Sequence, residues 1–464
     1  MKKFVKPSAE QILKELNIED YLPSGSETTG VIEAARTALK CMEDDPADYR
    51  LHVDKVHKFM KVLWEKYDCE EIYQMLDSLT RIEPALLDLE RDPEARKRYR
   101  DRYVHLFHVF VFGLRILSDL IQKAGGTKAA KILKIDGEQL RGRMYSLNEA
   151  GERVEWHDYS WKERMLFLWT LISTLHDIAI PITHLDNIRD ALNKFSEKFH
   201  LQVVGPNLTH KFPADLDEYL WLISQLFEGK FEQDSSEEWL YNKPPSGAYI
   251  KGFLERLFTS NHGVLGGFLA YKMVEEIFLQ GKSAKYKLNS EAFQLYRELI
   301  LRQDVARAAL AISLHDLRDD ESCGLPEFMP LNFHDYPLTF ILIIADSLQE
   351  YLRWEGMSIR GDTKLYGFPS LSVTIRRNKV NVECGFSVES DRLQQKYFIE
   401  EVKRMTANEG RSFSGRTIGS AADEFCKSVE QKLEHKVSLG SGDFTLSVSF
   451  FVGEDHASTK TFGT

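Results

Sequence analysis

The sequence predicts a mainly helical protein with a small α+β region at its C-terminal end. Long apolar runs with helical spacing and helix start signals extend from about residue 94 to residue 356. Near Arg360 the pattern changes to short stretches rich in β-branched residues. Before the apolar runs, short amphipathic segments are interrupted by Pro84 and Pro93. The predicted regions are an N-terminal helical region (1–93), a helical core (94–358) and a C-terminal α+β domain (359–464).

Two helices of the core have clear starts. Ser160-Trp-Lys-Glu163 has the form of a capping box and precedes an apolar run that ends at His176. Asp335-Tyr-Pro337 places an acidic residue and a proline at the start of a second apolar helix.

The segment from Tyr103 to Ile121 is the most tempting membrane span. Its ionisable side chains are too numerous for a helix that faces lipid, and they are His105, His108, Arg115 and Asp119. A buried helix of a soluble protein is therefore expected.

Composition narrows the functional classes. The net charge of -11 argues against a nonspecific nucleic-acid coat, which needs a basic surface. The five cysteines are widely spaced and form no CxxC pair, so neither a cysteine zinc site nor a disulfide framework is expected. The N-terminus has no apolar core or cleavage site of a signal peptide, and a cytoplasmic location fits best.

The C-terminal region predicts a small mixed domain. Leu371–Ile375 and Lys379–Glu383 favour two strands of a hairpin, and Phe444–Val452 favours a final strand. Helical patterns lie near 391–407 and 420–435, and the last dozen residues resemble a loose tail.

The dipeptide His-Asp occurs four times, and its context separates the copies into two kinds. His157-Asp158 precedes the capping box and His334-Asp335 precedes Pro337, so helix starts explain these two. His176-Asp177 and His315-Asp316 instead each close a strongly apolar run. A buried carboxylate needs a cation, a metal or hydrogen-bond donors because its desolvation is costly.

Three further residues have the chemistry to join these pairs, and each also has an ordinary structural explanation. Asp346 lies in an apolar helix, either as a ligand or as a salt-bridged core acid. His105 shares a helix face with Arg102 and His108, either as a ligand or as a core histidine. His262 begins an apolar, glycine-rich helix, where a histidine can also cap or pack.

Together these residues predict a metal site. Imidazoles and carboxylates are common protein ligands of transition metals, and helical bundles often supply them from several helices. One or two divalent ions are expected; Mn, Fe, Zn, Co and Ni all suit the donors, and Mg is compatible. The expected ligands are His105, His176, Asp177, His262, His315 and Asp346.

The order of these residues resembles the HD-domain superfamily of metal-dependent phosphohydrolases. Arg102-Tyr-Val-His105 resembles the first motif, and Leu175-His176-Asp177-Ile-Ala-Ile-Pro181 resembles the second. Asn261-His262-Gly resembles the intermediate histidine motif, Leu314-His315 the extra histidine of binuclear members, and Ile344-Ala345-Asp346 the closing aspartate helix. The resemblance covers about residues 95–355 and implies an HD-type helical bundle.

Some features depart from the pattern of many relatives. Ala179 and Ile180 stand where many members carry glycine and a polar or aromatic residue. The chain also lacks the Gly-Tyr-Pro signature of the cyclic-dinucleotide branch, and no lysine directly follows the second motif. These differences argue against that branch.

The resemblance implies hydrolysis of a phosphoester or phosphoanhydride by metal-activated water. Asp177 would bridge two ions or ligate one, while His262 and His315 would bind a second ion or act as proton donor and phosphate contact. Arg102 and His184 would contact the substrate, although Arg102 could instead pair within its helix and His184 could lie on the surface. The expected substrate is a small nucleotide or nucleotide-like phosphoester, and no long nucleic acid. No GxxxxGK[ST] loop supports ATP-driven chemistry.

In a rival interpretation the chain has the same fold but does not hydrolyse a substrate. The chain would then be a nucleotide-sensing or interaction protein with a structural metal. The C-terminal α+β domain would suit ligand sensing or formation of a homo-oligomer under either interpretation.

Overall fold

The part of the chain that the structure describes is mainly helical, as the sequence predicts. A computed structural model describes residues 7–22, 26–44, 49–67, 69–78, 102–135, 145–147, 153–155, 161–181, 262–279, 304–316, 331, 333–357, 370–376, 379–388, 433, 444–452 and 455–462. Within these ranges the α-helices are α1 (Ala9–Leu16), α2 (Ser26–Asp44), α3 (Tyr49–Lys66), α4 (70–78), α5 (Arg102–Ala124), α6 (Gly126–Ile132), α7 (Trp161–Leu175), α8 (His262–Leu279), α9 (Ala306–Leu314) and α10 (Pro337–Met357).

The sequence places the starts of two of these helices correctly. Helix α7 begins directly after Ser160 of the capping box, and α10 begins at Pro337. The N-terminal helices α2 and α3 have 19 and 18 residues and are longer than the short segments expected there. They pack against each other, and this burial stabilises them beyond what their highly charged sequences indicate.

Helix α5 lies at the centre of the described helices. It contacts α1, α3, α7, α10 and one strand of the C-terminal sheet. The stretch Tyr103–Ala124 is long and apolar enough to cross a membrane, but 89% of its most apolar window is buried inside the protein. This burial agrees with the expected core helix. At Gly113, a Cβ atom would lie 1.8 Å from the ring of Trp169, so glycine permits α7 to approach.

Helices α7 and α9 run parallel and each ends at a His-Asp pair. At their starts Arg164 Nη2 and Nε lie 2.7 and 3.0 Å from the two carboxylate oxygens of Asp304. At their ends the rings of His176 and His315 are 5.2 Å apart in an edge-on contact. Because both contacts join equivalent ends, the two helices carry their histidines to the same level.

The C-terminal strands form a four-stranded sheet in the order β3 (Ser370–Arg376), β4 (Lys379–Val388), β5 (Phe444–Val452) and β6 (Asp455–Phe462). The pairs β3/β4 and β5/β6 are antiparallel and β4/β5 is parallel. The predicted hairpin and the strand Phe444–Val452 are confirmed. The helical patterns near 391–407 and 420–435 lie outside the described residues, except for Leu433, which is helical and buried. A short hairpin, β1 (Tyr145–Leu147) with β2 (Arg153–Glu155), also lies within the predicted core.

The expectation of a loose C-terminal tail is wrong. Residues 455–462 form strand β6, which pairs with β5 along its length. Its hydroxyl side chains continue this pairing, since Thr461 and Thr459 lie 3.0 and 2.7 Å from Ser447 and Ser449. The strand carries polar residues instead of an alternating apolar pattern, which is why its sequence resembles a tail.

Contacts join the N-terminal helices to α5. Arg115 is fully buried, and its Nε and Nη2 lie 2.7 and 2.6 Å from Glu15 Oε2. Ser118 accepts a hydrogen bond from the Tyr21 hydroxyl at 2.8 Å and donates one to the Leu16 carbonyl at 2.9 Å. The described residues of the N-terminal region therefore share a buried surface with the predicted core.

The sheet contacts the same helices. Asp119 Oδ2 accepts a hydrogen bond from the Val373 amide at 2.6 Å, and Lys123 donates one to the Val373 carbonyl. Two side chains of α5 thus satisfy backbone groups on strand β3, which lies at an edge of the sheet. On strand β5, Phe444 packs against Phe333 and Phe340, with ring centroids 5.1 and 4.7 Å apart.

Candidate metal centre

The six expected ligands come together from five helical segments. They lie in the first turn of α5, just past the end of α7, at the first residue of α8, just past the end of α9, and within α10. In that order they are His105, His176 with Asp177, His262, His315 and Asp346. His105, His176, Asp177 and His315 are buried, and His262 and Asp346 are partly exposed.

One group of donors gathers beside α5. His105 Nε2 lies 3.2 Å from His176 Nε2 and 3.2 Å from Asp177 Oδ2. Asp346 Oδ1 lies 3.5 Å from His105 Nε2 and 3.9 Å from His176 Nε2. His105, His176 and Asp177 satisfy the spacing required to hold a metal ion.

A second group shares Asp177. Its Oδ1 atom lies 3.6 Å from His262 Nε2 and 3.8 Å from His315 Nε2. These three residues also satisfy the spacing required for an ion. Asp177 is therefore common to two donor groups, with Oδ2 towards His105 and Oδ1 towards the other histidines.

Two of the histidines are oriented by their own helices. His176 Nδ1 lies 3.0 Å from the Ser173 carbonyl oxygen, and His315 Nδ1 lies 2.6 Å from the Ile312 carbonyl oxygen. A carbonyl oxygen can only accept, so Nδ1 carries the proton in each ring. With Nδ1 protonated, Nε2 of each ring is the nitrogen on the side of Asp177 and the one available to a metal.

The ionisation of Asp177 and His176 fits this arrangement. Burial lowers the pKa of His176 from 6.5 to about 4, so its ring is neutral at pH 7. Burial alone would raise the pKa of Asp177, but His176 and the other surrounding histidines lower it well below its usual value. The ionised carboxylate of Asp177 therefore lies beside the neutral ring of His176.

The donor set fits a divalent ion. Asp177 carries a negative charge among nitrogen donors, and a divalent cation would neutralise this charge and accept their lone pairs. The donor atoms lie 3.2 to 3.9 Å apart, which matches the separation of about 3–4 Å between neighbouring ligand atoms that each lie about 2 Å from one ion. Buried His and Asp groups of this protein could thus hold a metal, and their chemistry suits several transition ions.

Close packing holds α8 beside this site. A Cβ atom on Gly266 would lie 3.2 Å from the His176 carbonyl oxygen and 3.3 Å from the Ile312 side chain. Gly266 follows His262 by one helical turn, so a larger residue there would push His262 away from Asp177. Gly266 is thus explained by helix packing.

Sequence reasoning gave no role to Asp316. Its Oδ2 atom lies 3.1 Å from His262 Nδ1, and its side chain is 13% exposed. The signal was present, because Asp316 belongs to the second His-Asp pair that closes an apolar run. Of the expected substrate contacts, His184 and the side chain of Arg102 lie outside what the structure describes.

Comparisons with known proteins do not assign the chain to a family. No family model, no curated protein and no solved structure matches the chain.

Proposed function

We propose that this chain is an HD-type metal-dependent phosphohydrolase that hydrolyses a phosphoester or phosphoanhydride of a nucleotide or nucleotide-like substrate. The observation that carries the proposal is the position of Asp177, whose carboxylate belongs to both donor groups, His105 with His176 and His262 with His315. A shared carboxylate between two donor groups is the arrangement used where two ions act on one phosphoryl group.

The residues of the site would bind the metal ions, and the ions would activate water. When bound, a divalent ion supplies the Lewis acidity that lowers the pKa of water and polarises a phosphoryl oxygen. His105, His176 and Asp177, with Asp346 beside them, would hold one ion, and Asp177, His262 and His315 would hold a second. In the proposed reaction the oxygen of water bonds to phosphorus, the P–O bond to the leaving group breaks, and the leaving oxygen takes up a proton.

The partial exposure of the site supports a reaction with an outside molecule. The side chains of Asp346 and His262 are each 23% exposed, whereas those of His105, His176 and His315 are 3% exposed or less. A purely structural metal is usually enclosed on all sides, while a catalytic one keeps an open position.

A metal-dependent activity screen tests the proposal. The purified protein is loaded with Mn²⁺, Co²⁺, Fe²⁺ or Zn²⁺ and incubated with nucleoside triphosphates, cyclic nucleotides and phosphomonoesters, and phosphate or nucleotide products are measured. We expect turnover that chelation abolishes and that Asp177→Asn lowers by a factor of about 100 or more.

The matched control is His334→Ala, which alters an exposed histidine of another His-Asp pair. It should keep the parent's metal content and turnover. A metal-loaded, folded protein that is inert to every phosphoester would overturn the proposal and favour the nucleotide-sensing alternative.

A further inference from the structure

We infer that Asp316 is a positioning residue that fixes the ring of His262 and thereby completes the second donor group of the site. The inference rests on the proposed metal centre and gives the second His-Asp pair a role different from the first. Asp316 follows His315 just as Asp177 follows His176, at the ends of parallel helices. The two carboxylates nevertheless contact opposite nitrogens of one imidazole.

The ring of His262 lies between these two carboxylates. Its Nδ1 atom is 3.1 Å from Asp316 Oδ2, and its Nε2 atom is 3.6 Å from Asp177 Oδ1. A neutral imidazole carries one proton, which belongs on the nitrogen with the closer acceptor. Asp316 therefore holds the proton on Nδ1 and leaves the lone pair of Nε2 facing Asp177.

Without Asp316 the proton has a competing position. It could move to Nε2 and be donated to Asp177, which would remove the lone pair that a metal needs. His176 and His315 avoid this problem because carbonyl groups three residues back fix their tautomers. His262 is the first residue of α8, so its own helix offers no such carbonyl.

The two donor groups should therefore respond differently to a change at Asp316. Asp316 contacts His262, which belongs to the second group and not to the group of His105, His176 and Asp177, so the first group should keep its ion. The group of Asp177, His262 and His315 should bind its ion more weakly. Removing a carboxylate that orients a ligand histidine typically lowers metal affinity by a factor of about 10–100.

Cobalt(II) titration of the metal-free, full-length protein tests this. Calorimetry gives the number and affinity of bound ions, and visible absorption reports each occupied site. We expect two equivalents for the parent and, for Asp316→Ala, an unchanged first equivalent with a second weakened about 10–100-fold. Asp316→Asn should bind better than Asp316→Ala, because its amide oxygen can still accept from Nδ1.

The control is Asp335→Ala, the aspartate of the His-Asp pair at the start of α10. It should bind both equivalents as the parent does. Three results would overturn the inference. The parent could bind one ion or none, Asp316→Ala could bind both ions as tightly as the parent, or a folded Asp316→Ala variant could lose both ions equally. The titration needs no substrate: two ions with the second dependent on Asp316, in a protein inert to phosphoesters, would sustain the inference while removing the proposed function.

Discussion

Asp177 shows how a buried carboxylate can remain ionised. Burial is unfavourable for its charge, yet the surrounding histidines keep its pKa well below the usual value. The same burial keeps His176 neutral, because its pKa falls to about 4. Asp177 is thus ionised and His176 neutral, and these are the protonation states in which a carboxylate and an imidazole serve as ligands.

The lowered pKa of His176 predicts a pH-dependent stability. In protein freed of metal, the unfolded chain binds a proton between pH 6.5 and about 4 that the folded protein does not bind. The free energy of unfolding should therefore increase with pH across this window, and this residue should contribute on the order of 3 kcal/mol. Urea unfolding of the metal-free parent at about pH 7 and about pH 4.5 measures the change.

His176→Gln removes the titrating ring and serves as the comparison. Its stability should fall less between the two pH values than that of the parent. Equal pH dependence of the two proteins would show that His176 is not buried in its neutral form.

At the scale of elements, the site depends on α7 and α9 ending at the same level. The buried pair of Arg164 and Asp304 ties the starts of the two helices, and the rings of His176 and His315 meet at their ends. Both helices place their histidine Nδ1 atom against a carbonyl three residues back. The repeated local geometry orients two ligands with backbone atoms alone.

Breaking the Arg164–Asp304 pair should be costly. The two side chains are 6% and 4% exposed, so Arg164→Met leaves a buried carboxylate without its bidentate partner. We expect a loss of about 3–5 kcal/mol in the free energy of unfolding, measured with urea. The double variant Arg164→Met/Asp304→Leu removes both charges and should recover most of this loss.

Arg36→Met is the control, because Arg36 pairs with Glu10 on a partly exposed surface. It should change stability only slightly. If Arg164→Met is as stable as the double variant, the pair does not hold the two helices together.

At the scale of the whole molecule, α5 joins three parts of the chain. The N-terminal helices contact it through Glu15 and Arg115, strand β3 contacts it through Asp119, and His105 of the site lies in its first turn. The described parts of the predicted regions therefore meet on one helix. This arrangement predicts that a change far from the site along α5 affects the stability of the site.

Glu15→Ala tests this coupling. The guanidinium of Arg115 is fully buried, so removal of Glu15 leaves a buried cation without this partner. We expect a loss of about 2–3 kcal/mol, less than for a fully buried pair because Glu15 is 28% exposed. Urea unfolding with and without bound metal measures this loss in the free energy of unfolding. The control is Glu10→Ala, because Glu10 lies on the same helix and forms an exposed pair with Arg36. A change no larger than that of Glu10→Ala would contradict the role of α5.

The sequence predicts those helices and strands whose signals lie in a few neighbouring residues. The starts of α7 and α10 follow from caps and a proline, and the strand Phe444–Val452 follows from its β-branched and aromatic residues. Strand β6 was missed because hydroxyl pairs and edge pairing stabilise it without an apolar pattern. Local patterns do not encode contacts between distant residues, and this is why the Arg164–Asp304 pair was missed.

The candidate site could be predicted because charged and imidazole side chains in apolar segments need a partner when they are buried. Apolar context singled out His176-Asp177 and His315-Asp316 among four copies, and the structure brings both pairs together with His105. The role of Asp316 could not be read from spacing, because it depends on where the ring of His262 lies.

An anomalous difference map tests the central claim most directly. Crystals of the protein grown with Mn²⁺ or Co²⁺ are measured at the absorption edge of the metal. The account predicts a peak within about 2.0–2.5 Å of a carboxylate oxygen of Asp177 and of Nε2 of His105 or His176, with a second peak towards His262 and His315. A map of a folded protein with metal peaks only elsewhere, or with none, would contradict it.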